Sequence, residues 1–197
     1  MLLLLYLAVC WAGAVLLAGC GIFSPDEEPP PPGGGVVVYP ILDHPERVLT
    51  ALQLAYGARD TVKYKELYDS TYTGRSTDLN DPPGAPGIDL NYEDEQIHIR
   101  KLATTPGLTA FLDLGPEASW RRIPSDEVTH PEWTVIQFSG SGYRVEITDG
   151  QTTLGAIGEA GTFQDFAFKP TLDTTSPTDT LWSIVRWRET GISQPNP

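Results

Sequence analysis

Thiols, histidines and positive charge are all scarce in this chain. Its 197 residues hold two cysteines, Cys10 and Cys20, one methionine and three histidines. No cysteine follows residue 20, so disulfides, thiolate nucleophiles and cysteine metal sites are excluded from the rest of the chain. Thirteen Lys and Arg stand against 26 Asp and Glu, a formal net charge of -13. Such a surface repels a phosphate backbone, so no nucleic-acid partner is expected. His44, His98 and His130 offer no His-x-x-x-His spacing, and no metal or other cofactor is expected. A Gly-x-Ser-x-Gly elbow is missing too, which removes the commonest hydrolase signature. Charge of either sign is absent before Asp26.

That uncharged beginning is the most informative stretch. Residues 1–19 are almost wholly apolar, close to the length of a membrane-spanning helix, and end in Leu17-Ala18-Gly19-Cys20. These four residues resemble the lipobox of bacterial lipoproteins. The resemblance implies that residues 1–19 are a signal peptide, that Cys20 carries the lipid, and that the mature chain is membrane-anchored outside the cytoplasm, at the outer membrane or cell surface. Neither Lys nor Arg precedes the apolar run, so an uncleaved anchor stands as the alternative. Residues 20–40 then read as a tether, with four prolines favouring polyproline II and three glycines adding a joint.

Residues 41–190 read as one domain, and 191–197 as a frayed end. Asp43 or His44 is placed to cap a first helix, with Pro45 at its first position and Val48, Leu52 and Ala55 on one stripe before Gly57 stops it. Asp60 caps a shorter helix over 61–69, and YEDEQIHIRKLA forms a third, with acids in its first turn. Residues 74–91 are loop by composition. Strands follow: GLTAFLDLG, then WTVIQF and YRVEITDG as a pair across the Gly-Ser-Gly at 140–142, then TFQDFAFK and LWSIVRWRE. Segregated helices and meandering strands mean an α+β fold.

HPERVLTALQLAYGARDTVKYKELY and the closing strand LWSIVRWRE resemble NTF2-like domains of the SnoaL and ketosteroid-isomerase type. The resemblance implies a cone: three N-terminal helices packed on a curved antiparallel sheet around a pocket. It also implies that a homodimer is available, and that catalytic members hold an Asp or a His–Asp pair inside. No motif here places such a pair.

Each candidate has a plainer reading beside it. His44 suits a helix start, and His130 a loop before Pro131. His98 sits mid-helix between Ile97 and Ile99, and is a base only if it faces the pocket. Asp165 alternates with Phe166 and Phe168, so a solvent-facing carboxylate is favoured over a base in the cone. Arg144 and Glu146 read as a solvated pair. Tyr143 and Trp187 are candidates for a ligand-binding wall, although the aromatics as a group read first as core. The expectation is a noncatalytic, lipid-anchored extracytoplasmic binding or scaffold module that binds a small apolar ligand or an envelope protein and is attached to the membrane through Cys20. The alternative is an isomerase or dehydratase with Asp165 or His98 as base.

Overall fold

A computed structural model describes residues 36–76, 87–158, 160–174, 176 and 179–191. Cys10, Cys20, the proposed signal peptide, most of the tether and residues 192–197 lie outside the described residues. No helix among the described residues is long and apolar enough to cross a membrane.

Helix α1 (Pro45–Ala58) buries Val48, Leu49, Leu52, Ala55 and Tyr56 along one stripe. His44 occupies the N-cap position without a side-chain cap bond, while Asp43 pairs with Arg47. The helix runs past Gly57, and Arg59 takes the left-handed conformation at its end, with φ 56°. That position suits glycine, so a side chain there needs compensation. Arg59 has it: the buried guanidinium donates to the Leu102 carbonyl at 3.0 Å.

Helix α2 (Thr61–Glu66) begins at Asp60, whose carboxylate accepts from the Lys63 N–H and the Tyr39 hydroxyl, both at 2.9 Å. It stops three residues sooner than its pattern suggests. The Leu67 carbonyl accepts from the Ile184 N–H at 2.8 Å, and the chain turns into strand β1 (Tyr68–Ser76). β1 pairs with β2 (Ile88–Asn91), so both ends of the expected loop are strand. Helix α3 (Tyr92–Thr104) comes only then, which corrects the expectation of three N-terminal helices. A capping box starts it: the Asn91 side chain accepts from the Glu93 and Asp94 N–H groups, and Asp94 accepts from the Asn91 N–H.

Seven strands follow: β3 (Thr109–Asp113), β4 (Arg121–Pro124), β5 (Thr134–Ser139), β6 (Arg144–Thr148), β7 (Thr153–Ile157), β8 (Thr162–Leu172) and β9 (Thr180–Gly191). With β1 and β2 they form a six-stranded sheet in the order β2-β1-β9-β8-β5-β4 and a three-stranded sheet β3-β6-β7. β1 and β9 run parallel, so the larger sheet is mixed and not wholly antiparallel. Bulges interrupt β1–β9 between Tyr68 and Thr73, and β8–β9 between Ala167 and Phe168, where they add bend and twist.

The expected β5–β6 hairpin does not form. β5 pairs with β4 and β8, whereas β6 pairs with β3 and β7. Gly140–Gly142 is one turn of 3-10 helix that carries the chain from one sheet to the other. Alternation in a strand says which face each residue takes, not which strand lies alongside.

The inner face of the large sheet gives Ile136, Phe138, Phe166, Phe168 and Ile184 to the core, against Leu49, Leu52, Leu67 and Ile99 from the helical side. Its outer face carries a smaller cluster of Val135, Ala167 and Val185, flanked by Ile123 and Trp133. The fold is α+β, with helices and the small sheet closing over one side of a bent mixed sheet.

Candidate functional site

The core does not fill this space completely. A cavity of about 290 Å³ opens between α1, α2, α3, β1 and the inner faces of both sheets. Leu112, Val145, Ile147 and Phe166 give it apolar walls. Five tyrosines line it as well: Tyr56, Tyr64, Tyr68, Tyr72 and Tyr143. The first four reach it from α1, α2 and β1, where spacings of four residues link Tyr64, Tyr68 and Tyr72 across a helix-to-strand junction.

Glu95, on the first turns of α3, sits at the centre of the polar side. Its carboxylate accepts the Tyr64 hydroxyl at 2.8 Å and the Tyr72 hydroxyl at 3.3 Å. Tyr68 donates to the Tyr64 oxygen at 3.0 Å, which makes a short relay ending on Glu95. Burial pushes the Glu95 carboxyl above its ordinary pKa; the two tyrosine hydrogen bonds oppose this and Asp94 adds to it. The tyrosines respond in kind. Burial, with the Glu95 charge beside it, holds Tyr56, Tyr64 and Tyr72 well above the usual phenol range, so all remain protonated donors at neutral pH.

His98 lies one turn further along α3, at the rim of the same cavity. Its ring stacks on Tyr56 at 5.7 Å between centroids, and Nε2 shares a hydrogen bond with the Tyr56 hydroxyl at 3.1 Å. The residue is exposed at the surface, yet partial desolvation of its ring, and then Lys101 nearby, lower its pKa. His98 is therefore a neutral imidazole at neutral pH.

Tyr143 and Trp187 both line the cavity and stack at 6.2 Å with 27° between planes. The Trp187 indole N–H donates to Gln164 Oε1 at 2.7 Å, which fixes the ring. Asp165 is elsewhere. It lies on the outer sheet face, accepting from Gln137 at 2.9 Å, with an Arg188 nitrogen at 3.8 Å. Nor does it face solvent, being only 6% exposed. Arg186 and Arg188 instead converge on Asp126, from the loop that lies over this face. His130 stacks on Trp133 in the same loop, and His44 is beside Asp43 at the surface. Arg144 and Glu146 pair on the small sheet.

The structure thus brings His98, Tyr143 and Trp187 to one cavity and leaves Asp165 out. The sequence alone does not single out Glu95, because an acid at a helix start is already explained by the dipole. The signal that finds it is its spacing of three from His98, on the face opposite exposed Glu93. Among the described residues no group of three or more His, Cys, Asp or Glu is arranged to hold a metal ion.

No known protein family and no curated protein matches the chain. Solved structures offer distant likenesses. One is a Thiobacillus denitrificans protein assigned as a calcium/calmodulin-dependent protein kinase type II association domain, at 12% identity, covering 78% of this chain and 99% of that one, with a TM-score of 0.42. Another is a Streptomyces avermitilis protein assigned as a dehydratase of the NTF2-like family, at 10% identity, 75% and 92% coverage and a TM-score of 0.42. A third is an NTF2-like protein with a cystatin-like fold from Novosphingobium aromaticivorans, at 11% identity, 76% and 80% coverage and a TM-score of 0.40.

Proposed function

We propose that this chain is an NTF2-like binding domain, held outside the cytoplasm by a lipid on Cys20, whose cavity takes a small and largely apolar ligand. The carrying observation is the cavity itself: about 290 Å³, walled by aliphatic and aromatic side chains, with polar groups gathered on one side. That is the make-up of a small-molecule site at the lower end of the usual size range. The polar groups are also occupied. Both Glu95 oxygens accept tyrosine hydroxyls and His98 is tied to Tyr56, which suits a preformed wall better than a free base.

A second reading rests on the same carboxylate. Glu95 has a raised pKa and a relay of phenols behind it, the equipment of a general base or acid in an isomerase or dehydratase. In that reading the base is Glu95 in place of Asp165, which the sheet turns away from the cavity.

Titration of the mature chain with small aromatic compounds, followed by tryptophan fluorescence, separates these readings. Binding predicts saturable one-to-one signals that weaken when Val145→Trp fills the cavity, with no turnover. Turnover that Glu95→Gln lowers by about a hundredfold, with binding retained, establishes the enzyme. Mass spectrometry of the mature N-terminus tests the address: a diacylated Cys20 supports the anchor, and an intact Met1 overturns it.

A further inference from the structure

We propose that the cavity selects an organic cation: a small ammonium compound whose charged head meets Glu95 and the surrounding aromatic faces while its apolar part lies against Leu112, Val145 and Phe166. This rests on the binding reading above and names the ligand class. The first observation is charge of a single sign. The cavity lining holds Glu95 and Asp94, and no Lys or Arg among the described residues. An anionic ligand would enter with nothing to neutralise it. A neutral one would leave the Glu95 carboxylate desolvated without a counter-charge, which is the costly arrangement.

The second observation is the aromatic lining. Tyr68, Tyr72, Tyr143, Phe166 and Trp187 line the same space. Ring faces attract cations through their quadrupoles, most strongly where water is excluded, and recognition of quaternary ammonium groups rests on such walls. The tyrosine hydroxyls on Glu95 do not compete with this role. A carboxylate has about four lone-pair positions and the tyrosines use two. A quaternary ammonium head needs the field of the carboxylate, not its lone pairs. The third observation is Tyr143, whose ring lines the cavity and stacks on Trp187, so two aromatic side chains are already held together at this wall. Outside the cavity, the formal net charge of -13 concentrates cations near the protein.

The test uses the full mature chain and three probes: phenyltrimethylammonium, its neutral isostere tert-butylbenzene, and benzoate. Calorimetry at neutral pH is expected to show the cation bound about tenfold tighter than the isostere, and benzoate not bound. Glu95→Gln is expected to erase the cation preference and leave isostere binding intact. A measurement on the unaltered chain gives the same answer without a variant: the ratio of cation to isostere affinity falls as pH drops and Glu95 takes up its proton. The groups around that carboxyl are Asp94 and His98 on α3, Tyr56 on α1, Tyr64 on α2, Tyr68 and Tyr72 on β1, and Tyr143 ahead of β6. The tyrosines are phenols throughout this range, and His98, on protonation, repels the cation and steepens the fall. Equal or tighter binding of the isostere, or a preference that survives Glu95→Gln, overturns the proposal and leaves the binding reading standing. If none of the probes binds, the binding reading fails and this inference with it.

Discussion

At Glu95 two opposed effects meet on one side chain. Burial favours the protonated form, and the Tyr64 and Tyr72 hydroxyls favour the charged one; burial prevails. The folded-state pKa then lies above that of the unfolded chain. The contribution of Glu95 to stability is therefore fully present below its unfolded pKa and lost as pH rises through its folded pKa. We expect Glu95→Gln to raise the denaturation midpoint at pH 7 and to change it little near pH 4, which urea unfolding at both pH values will show. Asp126 has the opposite sign. Against the cost of burial, the Arg186 and Arg188 guanidinium groups hold its carboxyl below the usual range, so its contribution is lost as pH falls. The sequence shows neither effect, because both depend on neighbours from distant segments. Asp165 makes the same point. Alternation placed it opposite Phe166 correctly, yet the burial of that outer face comes from the loop carrying Asp126, which alternation does not report.

Among the elements, the helices were the most legible. Their stripes and starts are local, and Asp60 forms the cap its sequence suggests. Their ends were less so, since α2 yields to pairing with β9 and α1 runs on into a left-handed Arg59. Strand partners were not legible at all, as the 140–142 turn shows. We expect Asn91→Ala to cost about 1 kcal/mol in chemical denaturation, the usual value of an N-cap. The same change loosens the first turn of α3, where Glu95 sits, and is expected to weaken probe binding in step. Gly158→Ala is a stronger test of the sheet crossing. A Cβ at that glycine would lie 2.1 Å from the Gly140 carbonyl oxygen, a backbone atom with little freedom to retreat. The Gly158 N–H also bonds the Tyr143 carbonyl at 2.9 Å. We expect about 2 kcal/mol or more of destabilisation, within the range of the larger point-mutant effects, together with altered Tyr143–Trp187 fluorescence.

For the whole molecule, the α+β class follows from the order of patterns, and the cavity follows from nothing local. It exists because two sheets and three helices meet around tyrosines that come from separate elements. The topology has one more consequence. β9 is the middle of the large sheet, with β1 on one side in parallel and β8 on the other. Its Trp182 N–H bonds the Leu42 carbonyl ahead of α1, and its Ile184 N–H bonds Leu67 at the end of α2. The earliest and latest parts of the domain are thus stitched together more than a hundred residues apart in sequence. Closing such long loops precedes any reward from the contacts they permit, so folding waits on the last strand. A chain ending before residue 180 leaves β1 paired only with β2 and β8 only with β5, splitting the large sheet in two, and is expected to show no cooperative unfolding transition by circular dichroism. During synthesis, the two halves of the large sheet have nothing to join them until β9, the last strand to leave the ribosome, is available.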